Sequence, residues 1–211
     1  MTGVVIPASI FFKFELTKNW ELLFIVVLLT AIFLLQFTRR ENSQAIVGIA
    51  TTLFGILYVS WFFSFLIKIR FLPSGAGLLA FILFVTKSGD IGAYLVGKRW
   101  GIHPLIARIS PSKSVEGAVG GLLFSILAAV ASKSFLPDWS CFSYINLIIT
   151  GAFFGVLAQW GDLSESLIKR DCQVKDSGNF LPGLGGVLDT IDSILFTAPA
   201  FYFYMSAVRN Y

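Results

Sequence analysis

The chain has 211 residues, of which 56% are hydrophobic and only 13% charged, and its mean hydropathy is +0.80. These values exclude an ordinary soluble domain and place the chain among polytopic integral membrane proteins. The net charge of +4 comes from Lys and Arg at the ends of apolar runs, a pattern of topology determinants beside anionic lipid, so no nucleic-acid partner is expected.

Residues 1–19 mix Phe11, Phe12, Phe14 and Leu16 with Lys13, Glu15 and Lys18, which reads as an interfacial segment. No apolar run with a small-residue cleavage site precedes Trp20, so no cleavable signal peptide is expected. Leu22–Phe37 is the first span, closed by Arg39 and Arg40. Ala45–Ile67 is the second, and Gly75–Val96 the third, with Lys87 and Asp90 inside it. Val115–Ala131, Phe142–Leu167 and Val187–Val208 complete an all-α, polytopic transmembrane helical bundle of about six spanning helices in a single integral membrane domain. Cys141 and Cys172 form no CxxC pair, and no disulfide framework or zinc site is implied.

The loops after spans one, three and five carry Arg39, Arg40, Lys98, Arg99, Arg108, Lys113, Lys169, Arg170 and Lys175. The opposite side, termini included, carries fewer basic residues. By the positive-inside rule the first set faces the cytoplasm. The polar loops 97–114 and 168–186 therefore share one face.

Six of the twelve acids fall between Gly161 and Asp192: Asp162, Glu165, Asp171, Asp176, Asp189 and Asp192. Asp189 and Asp192 are three apart at the start of span six, so a helix places them about one turn apart on one side. Acids in a first turn suit the helix dipole, but a pair following PGLGG reads as a seat for a divalent cation held by oxygen ligands. Asp162, Glu165, Ser166 and Lys169 recur at helical spacing and make a polar stripe that must face protein or water. Lys169, Arg170 and Lys175 are donors of the kind that clamp phosphates. Gly183, Gly185 and Gly186 permit close approach of a ligand, although they form neither a P-loop nor GxGxxG. Asp90 either neutralises Lys87 within the bundle or joins Lys113 and Glu116 of SPSKSVEGAVGG in a second polar group. His103 reads as a loop residue. Without GxSxG or HExxH, hydrolase readings lose their support.

The run Ser166, Leu167, Ile168, Lys169, Arg170, then Lys175, Asp176, Gly178, Leu181, Pro182, Gly185, Gly186, Asp189 and Asp192 resembles, in order and spacing, the signature of the phosphatidate cytidylyltransferases, or CDP-diacylglycerol synthases. The resemblance reaches upstream through GDLSES at Gly161–Ser166 and SPSKSVEGAVGG to DIGAY at Asp90–Tyr94. Spans one and two match only in being hydrophobic, so residues 1–74 are N-terminal helices of weak resemblance and 75–211 the catalytic helices. Leu184 stands where the family usually has His, and Thr190 where it usually has Arg.

The resemblance implies condensation of CTP with phosphatidate to CDP-diacylglycerol and pyrophosphate, in phospholipid biosynthesis. It implies Asp189, Asp192, Asp162, Lys169 and Arg170 as catalytic residues, with Asp189, Asp192 and Asp162 holding magnesium or another divalent cation. Lys175, Asp176, Ser166, Asp90, Ser110, Lys113, Glu116, Gly185 and Gly186 would bind substrate. A cytoplasm-facing site in a bacterial inner membrane and a homodimer follow from the same likeness. Three alternatives stay open at this stage: a CTP-dependent transferase or kinase acting on another lipid phosphate or polyprenol, an ion or proton transporter, and a paralogue inactive through Leu184 and Thr190.

Overall fold

The computed structural model describes residues 4–12, 20–39, 43–178 and 186–209. Lys13, Lys18, Arg40, Gly183, Leu184 and Gly185 lie outside the described residues. The chain gathers into two compact units, Met1–Lys68 and Ile69–Tyr211.

The first unit begins with α1 (Val5–Phe11), which at 1.5 Å per residue is only about 10 Å long and too short to span. It continues with α2 (Trp20–Phe37), α3 (Ala45–Gly55), a π-helical stretch Ile56–Trp61, and α4 (Phe62–Arg70). The last three run on as one helix, Ala45–Arg70, long and apolar enough to cross a membrane. Within this unit Glu21 accepts a hydrogen bond from Trp61 Nε1 at 3.1 Å and pairs with Lys68, so an acid at a membrane edge is compensated.

The second unit comprises α5 (Gly75–Trp100), β1 (Pro104–Ile106), β2 (Ser110–Ser114), α6 (Val115–Ala131), α7 (Tyr144–Asp171) and α8 (Val187–Arg209). With α2 and the Ala45–Arg70 helix, six helices are long and apolar enough to span, as the sequence implies. The protein is an all-α integral membrane protein. Both α5 and α7 run a turn past their expected ends. Each closes on a basic pair, Lys98 with Arg99 and Lys169 with Arg170, which complements the negative end of the helix dipole.

An aromatic plug fills the end of this unit away from its polar residues. Phe81 of α5 meets Phe201 of α8 at 5.5 Å, and Phe154 of α7 meets Phe201 edge-on at 5.4 Å, all three fully buried. Leu78, Ile82, Val85, Leu147 and Leu195 complete the core around it. Helices α5 and α6 pack closely, with Gly117, Gly120 and Gly121 buried at the start of α6, which is how membrane helices without a hydrophobic drive between them gain contact. Large apolar residues such as Leu127, Ile145 and Phe203 point outward and remain exposed, as lipid-facing side chains do.

The short antiparallel hairpin β1–β2 is an addition to the helical reading, which treats 97–114 as polar loop. Its register joins Pro104 to Ser114 and Ile106 to Ser110, with an irregularity between. Pro104, Pro111 and the serines hide any alternation of apolar and polar residues, and prolines are tolerated because this two-stranded ribbon is all edge. Ser114 ends the hairpin and caps α6, its Oγ accepting from Gly117 N at 3.1 Å.

Candidate functional site

The second unit collects its charge where α5 and α7 end and α6 and α8 begin. Asp162 and Glu165 lie three apart on α7, and Asp192 reaches them from α8. One carboxylate oxygen from each of the three lies within 4.8 Å of the others. The approach depends on Gly161: a Cβ there would stand 2.5 Å from the Asp192 carbonyl oxygen, so any larger residue would push the helices apart. Asp162 sits nine residues before the end of α7, about 13 Å inside it. Carboxylates at that depth must be paired or ligated.

Lysines supply part of that pairing. Lys113, held out by β2, contacts Asp162 Oδ1 at 2.5 Å and donates to Ser166 Oγ at 3.1 Å. Lys169 lies 2.5 Å from Glu165 Oε2 and 2.6 Å from Asp189 Oδ1. The Lys169–Glu165 contact is an ion pair by distance alone. Glu165 is fully buried, and neither of its oxygens has a well-directed hydrogen bond. On α5, Lys87 pairs with Asp90 at 2.8 Å. Five carboxylates (Asp90, Asp162, Glu165, Asp189, Asp192) thus meet three ammonium groups, and Asp192, only 6% exposed, is in no lysine pair among the described residues.

Asp189 plays a different part from Asp192. Its Oδ2 accepts from Ser177 N at 2.8 Å, Ser177 Oγ at 2.6 Å and Gly186 N at 2.7 Å, so it ties the segment after α7 to the first turn of α8. Gly186 is required there, because a Cβ would stand 2.3 Å from Ser177 Oγ and 2.8 Å from Gly178 N. The acidic trio therefore consists of Asp162, Glu165 and Asp192, with Asp189 joined to it through Lys169. Spacing along one helix pairs Asp189 with Asp192. The fold pairs Asp192 with α7 instead.

A cavity of about 570 Å³ opens beside this cluster, lined by Asp90, Lys113, Asp162, Asp189 and Asp192 at its charged end. Small residues of α5, α6 and α7, including Gly89, Ala93, Gly117 and Ala158, make its apolar wall, and Gln159 lies among them, its Nε2 donating to the Ala118 carbonyl at 2.9 Å.

The remaining expected residues sit around this centre. Ser166 is buried against Lys113. Arg170 is exposed, its Nε donating to the Ile109 carbonyl at 3.2 Å, which fastens the hairpin turn to the end of α7. Lys175 and Asp176 stand exposed in the following loop, and Ser110 is buried at the start of β2 with its Oγ 3.3 Å from Ser112 Oγ. Glu116 is not among the residues that line the cavity. It accepts from Ile102 N at 3.1 Å and His103 N at 3.2 Å, and lies 2.6 Å from His103 Nδ1, so it pins the chain leaving α5 to the start of α6. Gly185 lies outside the described residues. The expected site residues leave out Glu165, Gln159, Ser177 and Ser193. Of these Glu165 carries a visible signal, its place in GDLSES and its spacing from Asp162.

The residues fit a divalent cation on their own chemistry. Three carboxylates converge, one of them buried without a directed hydrogen bond, and negative charge exceeds positive by two among the five acids and three lysines.

Comparison with known proteins bears on the same region. The model of a family described as the cytidylyltransferase family matches residues 2–208. The phosphatidate cytidylyltransferase of Bacillus subtilis is 37% identical over 183 residues, covering 86% of this chain and 65% of that protein. That of Staphylococcus saprophyticus is 39% identical over 167 residues, covering 79% and 63%. The uncharacterized protein YnbB of Escherichia coli is 35% identical over 158 residues, covering 75% and 51%. The chain thus spans between half and two thirds of the length of these relatives.

Proposed function

Because the chain belongs to the cytidylyltransferase family, we propose that it transfers the cytidylyl group of CTP to phosphatidate at the cytoplasmic face of a bacterial inner membrane, giving CDP-diacylglycerol and pyrophosphate. The observation that carries the reading is the acidic trio beside Lys113 and Lys169, with Lys113, Asp162 and Asp192 lining a cavity. The names of the Bacillus and Staphylococcus relatives support the choice of acceptor.

The chemistry asks little covalent work of the protein. An oxygen of the lipid phosphate, already anionic near neutral pH, bonds to the α-phosphorus of CTP. The bond from that phosphorus to the bridging oxygen breaks, and pyrophosphate leaves with the electron pair. No serine, cysteine or general base is needed. What the protein must do is bring two polyanions together and hold them in line. Lys113 and Lys169 would serve this: an entering phosphate would compete with Asp162 for the first and with Glu165 and Asp189 for the second. Arg170 and Lys175, exposed at the rim, would attract the nucleotide from water. Asp189 would keep the segment after α7 folded against the site. Asp162, Glu165 and Asp192 would hold magnesium, which when bound supplies the positive charge that offsets the phosphates.

Thr190, where the resemblance leads one to expect Arg, donates its hydroxyl to the Gly186 carbonyl at 3.3 Å. That bond to the carbonyl four residues back lies within the first turn of α8, and the phosphate contacts would fall to the lysines.

The test is magnesium-dependent pyrophosphate release from CTP and phosphatidate by the purified protein in detergent. The wild type is expected to turn over and Asp192→Asn to lose activity while remaining folded. Near-normal turnover in Asp192→Asn removes the cation assignment, and a wild type inactive with every lipid phosphate removes the function.

A further inference from the structure

Lys87 and Asp90 stand one turn apart near the middle of α5, and α8 sets Ser193 against both. Lys87 Nζ donates to Asp90 Oδ2 at 2.8 Å and to Ser193 Oγ at 3.1 Å, and the Ser193 hydroxyl donates to the same Asp90 oxygen at 2.9 Å. An ammonium, a carboxylate and a hydroxyl thus close a ring across two helices. Asp90 lies ten residues before the end of α5, about 15 Å inside it, a depth at which a charge is retained only with partners.

Mutual neutralisation would need only the lysine and the acid. Ser193 adds something else, because it is fully buried and directly follows Asp192. Its backbone N–H donates to Asp192 Oδ1 at 2.6 Å. Its Cα is 3.2 Å from where a Cβ on Gly161 would stand, so α7 presses on the same piece of α8 backbone. The ring therefore grips the residue whose main chain holds Asp192, and it does so from the helix opposite Asp162 and Glu165.

We propose that Lys87 and Ser193 are positioning residues for the acidic trio: through Asp90 they fix the α8 backbone at Asp192 so that its carboxylate meets those of Asp162 and Glu165 as one cation seat. The inference rests on the reading of that trio given above. Neither residue need touch substrate. Partners that orient ligating carboxylates cost about 10- to 100-fold in metal affinity or activity when removed.

The experiment measures manganese binding to the full-length protein in detergent, from the loss of the free-ion electron paramagnetic resonance signal, in the wild type and in Ser193→Ala, Lys87→Met and Lys87→Arg. Ser193→Ala and Lys87→Met are expected to weaken manganese binding by about 10- to 100-fold. The magnesium concentration for half-maximal turnover should rise in step, with the KM for CTP at saturating magnesium unchanged. Lys87→Arg, which keeps the charge, should keep the affinity. A merely structural role would lower stability without moving the cation affinity of the folded fraction. If Lys87→Met does not fold, Ser193→Ala decides, since it leaves the Lys87–Asp90 pair intact. Wild-type manganese affinity in folded Ser193→Ala overturns the proposal. A wild type that binds manganese but does not turn over CTP overturns the proposed reaction and leaves the affinity ratios to decide this inference. A wild type that binds no manganese overturns the seat and the inference together.

Discussion

Asp192 shows how a single residue gains its role from a neighbour with no side chain. It is 6% exposed, in no lysine pair among the described residues, and brought against α7 by Gly161. Gly161→Ala inserts a methyl 2.5 Å from the Asp192 carbonyl oxygen, where backbone and not a flexible side chain must give way. Overpacking of this kind costs roughly 1–3 kcal/mol. The variant should unfold at lower temperature in detergent and bind manganese more weakly, because the shift falls on the acidic trio. Unchanged unfolding and unchanged manganese binding would show that the two helices are not held at this point. The acids themselves are legible in sequence as a cluster too dense for a membrane chain. Their grouping is legible in part: the resemblance already joins Asp162 to Asp192, whereas the place of Glu165 beside them comes from contact between helices. Glu165 is visible only as a member of a polar stripe, and its burial without a directed hydrogen bond comes from the fold.

Among the elements, the β1–β2 hairpin is what hydropathy reads least well. Its residues are prolines, serines and short apolar runs, and no period survives to mark strands. Yet it holds Lys113 over Asp162, and Arg170 and Glu116 hold it in turn, through the Ile109 carbonyl and the amides of Ile102 and His103. Glu116 thus fastens the chain between α5 and α6, while the resemblance groups it with the substrate-binding residues. Glu116→Ala should free those two amides, so hydrogen exchange at Ile102 and His103 should quicken while exchange in the α5 core around Phe81 stays slow. Equal protection in the variant would return Glu116 to the list of residues with a direct role. The spans, by contrast, are legible almost to their ends. Long apolar runs leave helix as the only structure that satisfies its own backbone in lipid, and the extra turns of α5 and α7 come from basic pairs that extend the helices past the hydrocarbon.

At the scale of the molecule, the basic ends of α5 and α7 lie at the end of the second unit where the site is built, and the proposed reaction requires that end to face the cytoplasm. The two cysteines mark the two ends of the second unit. Cys172 is exposed at the end of α7, whereas Cys141 is buried before the start of α7, and burial pushes its thiol above the usual range, so little reactive thiolate forms. A membrane-impermeant maleimide should therefore label Cys172 in inverted membrane vesicles and leave intact spheroplasts unlabelled. Labelling of Cys172 from outside intact cells would place the site on the wrong side for cytoplasmic CTP. The function drawn from this arrangement makes a sharper demand, on which phosphorus of CTP reaches the lipid. With phosphatidate as acceptor and CTP labelled separately at its α- or γ-phosphorus, the α-label should enter the organic phase as CDP-diacylglycerol and the γ-label should stay in water as pyrophosphate. Recovery of the γ-label in the lipid would make the protein a kinase, and recovery of neither would contradict the account.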